Sequence, residues 1–232
     1  MNSTKKTARF AGFLYLLLVV IAPISLIYVP GKLIVQGNAA ATASNILASQ
    51  SLFRIGIVSG LVSAVISIFL ALALYRLFKG VNQQQAILMV ILMLLQVPLA
   101  FLNEVSQIGA LALFRGADFL SVFDKPQRDA LAMLFLNLHG QGIIVSEIFW
   151  GLWLFPFGLL VFRSGFLPRI LGVWLIVNGF AYVTISLAGL LLPQYYKVVS
   201  NVAFPVLLGE MAIMLWLLIM GAKEQPLAAP AL

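Results

Sequence analysis

The chain has 232 residues, of which 62% are hydrophobic and only 9% are charged, and its mean hydropathy is +1.08. Soluble domains carry roughly 25% charged residues, so most of this surface must face hydrocarbon. The formal net charge is +7, but the basic residues are spread over many loop ends and form no run, which excludes nucleic acid as a partner. The sequence contains no cysteine, so disulfides, thiolate metal sites and thiol nucleophiles are excluded.

Six apolar stretches are long enough to cross a membrane. A span needs about 20 mainly apolar residues, and near-continuous apolar runs favour helices over the alternating segments of a membrane barrel. We predict an all-α polytopic membrane protein, a bundle of six transmembrane helices in a single transmembrane domain that comprises residues 1–232. The predicted spans are residues 10–29, 52–75, 86–114, 131–162, 167–192 and 202–221.

The two long loops, residues 30–50 and 115–130, are predicted to contain short extracytoplasmic helices. Asn38 precedes an Ala-rich stretch and is a suitable N-cap, and Asp124 stands three residues before Gln127 in a typical helix start. Lys and Arg are denser in the short loops of the opposite side, so both termini are predicted to be cytoplasmic. That side collects Lys5, Lys6, Arg9, Arg76, Lys79, Arg163, Arg169 and Lys223, and the outer side collects Lys32, Arg54, Arg115, Lys125, Arg128 and Lys197.

Small residues and prolines predict how the helices pack and bend. Gly56, Gly60 and Ala64 recur every four residues in the second span, and Ser59 belongs to an adjacent ridge of serines. Small residues on one face let membrane helices approach closely, so we interpret this face as a packing face. Prolines inside spans predict kinks, and they are Pro23, Pro98, Pro156 and Pro205.

Four titratable residues, Glu104, His139, Glu147 and Glu210, lie inside the predicted spans. Ionisable groups within a membrane are costly unless paired or hydrated, so each indicates a functional site. At about 1.5 Å per residue, Glu104, His139 and Glu210 all come out roughly 12–15 Å below the outer boundary. This predicts a polar layer in the outer half of the membrane, with Glu147 about two turns deeper than His139. The candidates for a ligand or ion pocket are Glu104, His139, Glu147, Glu210, Arg54, Asn103, Gln107 and Ser59.

The fourth span explains how polar residues fit an apolar helix. In LNLHGQGIIVSEIFWGLW, residues 136–153, the positions His139, Gly142, Ser146, Glu147 and Trp150 follow the spacing of one helix face. This polar stripe is predicted to point into the bundle.

Several functions are compatible with these residues. The favoured one is binding or translocating a small solute or ion, and the chain is then not an enzyme. The alternatives are an intramembrane hydrolase, with a metal on His139, Glu104 and Glu210 or with Ser59 activated by His139, and a purely structural membrane protein. In the structural alternative Arg54 pairs with a glutamate, and His139 with a carbonyl or a glutamate. The sequence assigns no cofactor and no oligomeric state; the expected partners are the lipid bilayer and a small solute, ion or lipid ligand.

Four stretches carry a resemblance to a known family. They are ARFAGFLYLL at 8–17, NAAATASNILASQSLFRIG at 38–56, LHGQG and FWGLW within 138–153, and RSGFLPRILG at 163–172. In this order they resemble the bacterial membrane family called domain of unknown function 4386, over nearly the whole chain. The resemblance implies a multi-pass protein of the bacterial inner membrane, and it brings no reaction, substrate or cofactor.

Overall fold

The structure, a computed structural model, describes residues 3–223. The ends of the predicted domain, residues 1–2 and 224–232, lie outside the described residues. Between these limits the chain is helical and contains no strand, as predicted. The α-helices are α1 (Ser3–Pro23), α2 (Val29–Leu33), α3 (Ala39–Ala48), α4 (Gln50–Phe78), α5 (Gln83–Arg115), α6 (Lys125–Leu152), α7 (Leu154–Arg163), α8 (Arg169–Leu191) and α9 (Tyr196–Ile219).

Six helical segments of the described chain are long and apolar enough to cross a membrane. Their number and order confirm the six predicted spans. Most extend beyond the predicted ends, because polar flanking residues continue the same helices. The segments are Thr4–Leu33, Gln50–Phe78, Gln83–Arg115, Lys125–Arg163, Arg169–Leu191 and Pro193–Ile219.

The helix starts in the two long loops are set by the predicted side chains. The Asn38 side chain accepts a hydrogen bond from the Ala41 backbone N–H at 2.9 Å, which caps α3 as predicted. The Gln127 N–H donates to Asp124 Oδ1 at 2.8 Å, and the Asp124 N–H donates to Gln127 Oε1 at 3.0 Å. This reciprocal pair confirms the predicted helix start, and the helix that it begins is α6 itself, which continues into the fourth span. The described part of that loop has only a 3₁₀ turn, Asp118–Leu120.

Two of the four prolines interrupt regular α-helix. A π-helical turn, Ile24–Tyr28, directly follows Pro23. The fourth span is divided at Trp153 into α6 and α7. Pro156 explains this break, because it has no N–H to donate to the carbonyl of Leu152. Pro98 and Pro205 lie inside helices α5 and α9.

The helices form two compact units, each assembled from segments that are distant in the sequence. Unit 1 comprises Met1–Leu16, Ser67–Leu95 and Glu147–Leu232, and unit 2 comprises Leu17–Ile66 and Gln96–Ser146. The division falls within long helices rather than in loops.

Unit 2 has an apolar core that joins α3, α4, α5 and the first half of α6. Ile46, Phe53, Phe114 and Leu136 are among its buried members. The small-residue face of α4 takes part in this packing, as predicted, because the Gly56 backbone lies against Val29. A Cβ atom on Gly56 would be 3.1 Å from the nearest Val29 methyl group.

Unit 1 is held together by aromatic rings and by helices in close contact. Phe78 packs between the rings of Phe157 and Phe166, with centroids 5.7 and 5.8 Å away. Helices α7 and α8 approach each other at Gly158 and Gly172, where a Cβ on Gly158 would lie 2.7 Å from the Gly172 carbonyl oxygen. Glycine is therefore needed at this crossing, as is typical of close helix packing in membranes.

Candidate functional site

The predicted site residues fall into both units. Glu104, Asn103, Gln107, His139, Ser59 and Arg54 belong to unit 2, whereas Glu147 and Glu210 belong to unit 1. Glu104 and Glu147 are equally buried, with exposed fractions of 6% and 7%. Each unit therefore has its own buried glutamate within a polar cluster.

In unit 2 the structure brings Glu104, Gln107 and His139 together with Ser25; we call these four residues the Glu104 cluster. The Gln107 Nε2 amide donates to Glu104 Oε2 at 2.8 Å and lies 3.2 Å from His139 Nε2. His139 Nδ1 lies 3.1 Å from the backbone carbonyl oxygen of Asn103. The Ser25 side chain also hydrogen-bonds to Glu104.

These contacts fix the proton positions on His139. A carbonyl oxygen only accepts, so Nδ1 must carry the proton that reaches Asn103. Nε2 is then the acceptor of a neutral imidazole, and the second Gln107 N–H donates to it. The two hydrogens of the Gln107 amide are therefore donated to Glu104 and to His139, so both acceptors have a hydrogen-bond donor.

Two glycines make room for this cluster. A Cβ atom on Gly60 would overlap the Glu104 carboxyl group, and one on Gly142 would overlap the Asn103 amide. The backbone of α4 thus contacts the carboxylate directly at Gly60. This explains why the small-residue face predicted for packing also borders the polar residues of α5.

In unit 1 the two glutamates are bonded to tyrosines; Glu147, Glu210, Tyr15, Tyr182 and Tyr196 form what we call the Glu147–Glu210 cluster. The Tyr15 hydroxyl donates to Glu210 Oε2, and Tyr182 also hydrogen-bonds to Glu210. The Tyr196 hydroxyl donates to Glu147 Oε1 at 3.0 Å.

The second carboxyl oxygen of Glu147 has a different environment. Glu147 Oε2 is buried and has no hydrogen-bond partner among the described residues. A buried carboxylate oxygen without a donor has lost its hydrogen bonds to water and has gained none from the protein, which costs free energy. A proton would neutralise this oxygen, and a cation would supply its missing partner. The other buried oxygens of the described residues without a partner are Ser63 Oγ and Asn178 Oδ1, so Glu147 Oε2 is the one that belongs to a carboxyl group.

Aromatic rings surround these tyrosines. Trp150, one helical turn beyond Glu147, packs edge-to-face on Tyr182 with centroids 5.8 Å apart. Trp153 packs on Tyr15 at 6.3 Å. The sequence pattern did not indicate the three tyrosines or Ser25 as site residues. In the sequence these residues appear only as hydroxyl-bearing side chains inside or at the end of a span. Tyrosines at membrane interfaces and serines in packing faces have the same appearance.

Arg54 differs from the predicted buried pairing. Its side chain is exposed, and it forms no ion pair with any described residue. The salt bridge with a glutamate that the structural alternative expects is therefore not found among the described residues. Arg54 lies in the first turns of α4, where an arginine can extend towards the membrane surface instead of entering the bundle.

The hydrolase alternative lacks its central contact. The Ser59 hydroxyl donates to the carbonyl of Gly56 at 2.7 Å. The ring nitrogens of His139 contact other residues: Nε2 contacts Gln107 and Nδ1 contacts Asn103. No Ser59–His139 hydrogen bond is thus present among the described residues. These residues also contain no group of three or more His, Cys, Asp or Glu side chains that could hold a metal ion.

The family comparison covers most of the chain. The family model "Domain of unknown function (DUF4386)" matches residues 10–221. The chain belongs to this family. The matched range includes both clusters, but the description of the family names no activity. No curated protein and no solved structure matches the chain.

Proposed function

We propose that this membrane protein binds and translocates a small solute or ion, and that the ion is a proton held by Glu147 and Glu210. The observation that supports this most directly is the buried, unpartnered Oε2 of Glu147. Protonation supplies this oxygen with an O–H group at no steric cost. Ionisable residues within membrane helices typically mark such pathways.

Tyrosine hydroxyl groups lie at both carboxyl groups. Tyr182 hydrogen-bonds to Glu210 and Tyr196 hydrogen-bonds to Glu147, and hydroxyl groups both donate and accept protons. Each carboxyl group can therefore exchange a proton with a hydroxyl neighbour, because such a step exchanges one O–H bond for another. Tyr15 and Tyr196 each hold one oxygen of a glutamate in place.

The Glu104 cluster supports a structural role for that region of unit 2. Its carboxylate, amide and imidazole groups satisfy one another, and His139 bonds to a carbonyl as the structural alternative expects. We therefore propose that protons bind in unit 1 and that the Glu104 cluster fixes the helices of unit 2. The predicted layer of Glu104, His139 and Glu210 in the outer half of the membrane stays a prediction.

Proton binding can be tested without knowing the solute. Infrared difference spectra of the protein in lipid should show the C=O band of a protonated carboxyl group, and Glu147→Gln should remove it. Glu104→Gln is the matched control, since Glu104 is equally buried, and it should leave the band. A band that survives Glu147→Gln would exclude Glu147 as the proton site.

Translocation needs a second assay. Proteoliposomes with an internal pH dye and an imposed membrane potential should take up protons with the wild-type protein. Glu147→Gln and Glu210→Gln should reduce the uptake to that of empty liposomes, while Glu104→Gln should retain it in proportion to folded protein. Uptake that requires Na⁺ or K⁺ would assign the site to a metal cation instead of a proton.

We also propose the bacterial inner membrane as the location, with cytoplasmic termini, on the basis of the Lys and Arg distribution. Because the sequence has no cysteine, single cysteines report cleanly. A membrane-impermeant thiol reagent on intact cells should label Ser121→Cys and should not label Gln84→Cys, both at exposed positions. Labelling of Gln84→Cys alone would reverse the orientation.

A further inference from the structure

Two shallow grooves on unit 2 meet at Arg54. The first, of about 300 Å³, runs between α4 and α5 and is lined by Arg54, Val58, Ile108 and Arg115 among others. The second, of about 280 Å³, lies on the other side of α4 and includes Ile21, Arg54, Val58 and Val62. Arg54 and Val58 thus form a ridge with an apolar groove on each side.

Both arginines lie at the same end of the α4–α5 hairpin. Arg54 is in the second turn from the start of α4, and Arg115 is the last residue of α5. Both side chains are exposed, and neither forms an ion pair with a described residue. A third guanidinium, that of Arg128, packs against Gly116, the residue that follows Arg115.

No described carboxylate forms an ion pair with Arg54 or Arg115. Asp118, the carboxylate nearest to Arg115 in the sequence, is exposed and does not line either groove. Asp129 pairs with Lys125 at 2.6 Å, and Asp124 Oδ1 accepts the N–H of Gln127. The lining residues are apolar apart from the arginines and Ser59, whose hydroxyl donates to the Gly56 carbonyl. Ile108 and Val58 are exposed on the rims of the grooves. On a membrane-spanning helix such rims face hydrocarbon, so the arginines at their end need an anion from the lipid layer.

We propose that unit 2 binds one anionic phospholipid, with its phosphate at Arg54 and Arg115 and one acyl chain in each groove. A guanidinium group donates two parallel hydrogen bonds to a phosphate, which suits Arg better than Lys for this contact. The ridge of Arg54 and Val58 separates the two chains of the lipid, and the grooves bury part of them. This site is independent of the proton site proposed for unit 1.

Native mass spectrometry of the detergent-solubilised protein tests the proposal. Titration with phosphatidylglycerol should give one tightly bound lipid, and phosphatidylcholine should bind more weakly. One basic side chain near a membrane surface contributes about 1 kcal/mol to anionic-lipid binding, so Arg54→Gln should weaken this binding about fivefold or more. Arg54→Lys should lie between wild type and Arg54→Gln.

The control variant is Arg76→Gln, an exposed arginine at the opposite end of α4, which should bind phosphatidylglycerol like the wild type. Ala112→Phe fills the first groove and should weaken lipid binding with both arginines intact. Equal losses in Arg54→Gln and Arg76→Gln, or no preference over phosphatidylcholine, would overturn the site. Equal binding of glycerol phosphate would show an anion site without a lipid site.

Discussion

The two buried glutamate clusters differ in the chemistry of their partners. In unit 2, the Glu104 carboxylate meets an amide, a hydroxyl and a glycine backbone, and the amide continues to a neutral imidazole. In unit 1, Glu147 and Glu210 are bonded to tyrosine hydroxyl groups, and one oxygen of Glu147 has no partner among the described residues. Glu104 and Glu147 are thus equally buried, but only Glu147 has a carboxyl oxygen without a hydrogen-bond partner among the described residues.

This difference indicates what each cluster can do. In a closed network every donor has an acceptor, so moving one proton or side chain leaves a buried polar group without a partner. A carboxyl group with an open oxygen and hydroxyl neighbours can exchange a proton without breaking a helix contact. Burial alone therefore does not distinguish the two clusters, and the proposed proton site rests on the unpartnered oxygen of Glu147.

The largest effect should come from a reagent that distinguishes the two glutamates. Dicyclohexylcarbodiimide reacts with protonated carboxyl groups in apolar surroundings. We expect it to modify Glu147 and to leave Glu104 unmodified, because Glu104 is held by Gln107 and Ser25. Peptide mass spectrometry measures both sites in one sample. Equal modification of both residues would remove the distinction between the clusters.

A side chain at Gly60 should break the Glu104 cluster. Gly60→Val places methyl groups on the Glu104 carboxyl group, and overpacking of this kind costs about 1–3 kcal/mol. The thermal unfolding temperature in detergent should fall clearly. Gly31→Ala is the control, since nothing lies within 4 Å of its added Cβ. Similar stability of Gly60→Val and wild type would contradict the close contact at Gly60.

Removing the Gln107 amide tests whether the network is satisfied as described. Gln107→Met keeps the side-chain length but leaves Glu104 Oε2 and His139 Nε2 without their donor. Leaving a buried acceptor unsatisfied costs about 1–3 kcal/mol, measured by reversible unfolding. In a double-mutant cycle with His139→Phe, the two losses should be non-additive. Additive losses would show that Gln107 and His139 do not interact.

The smallest effect is expected at Tyr196. Tyr196→Phe removes one hydrogen bond to Glu147 Oε1, which contributes about 1 kcal/mol to stability. It should, however, change the frequency of the Glu147 C=O band, because the carboxyl group loses a donor. Tyr195→Phe, at the neighbouring exposed position, is the matched control. A band that is the same in both variants would place Tyr196 outside the proton site.

The fold was predictable because each span carries its own signal. Composition and length identify the six spans, and Asn38 and Asp124 mark helix starts that depend only on residues three positions away. The polar stripe of α6 is also local, and His139, Ser146 and Glu147 are buried as it indicated.

The partners of the site residues were less predictable. Tyr15 and Glu210 are separated by 195 positions, and their contact depends on helix rotation, which changes by about 100° per residue. Span-end estimates give depth but not rotation, so they cannot select the tyrosines. The partner of Arg54 was not predictable for a related reason: the sequence places it near the end of a span, but it does not show whether the side chain turns into the bundle or outwards.

The amide of Gln107 has one further consequence, for the way in which its two neighbours can titrate. In the observed orientation it donates to both, which requires an acceptor on Glu104 and an acceptor on His139. Turned over, its oxygen accepts from both, which requires a protonated carboxyl and an imidazolium. The two neighbours are not equivalent in this respect. A proton on Glu104 Oε1 leaves Oε2 as an acceptor, so the observed orientation of the amide is kept. A proton on His139 Nε2 removes the acceptor there, so the amide must turn over and Glu104 must carry a proton on Oε2 to keep its contact. Through Gln107, the charging of His139 therefore requires a protonated Glu104, whereas Glu104 can take up a proton alone.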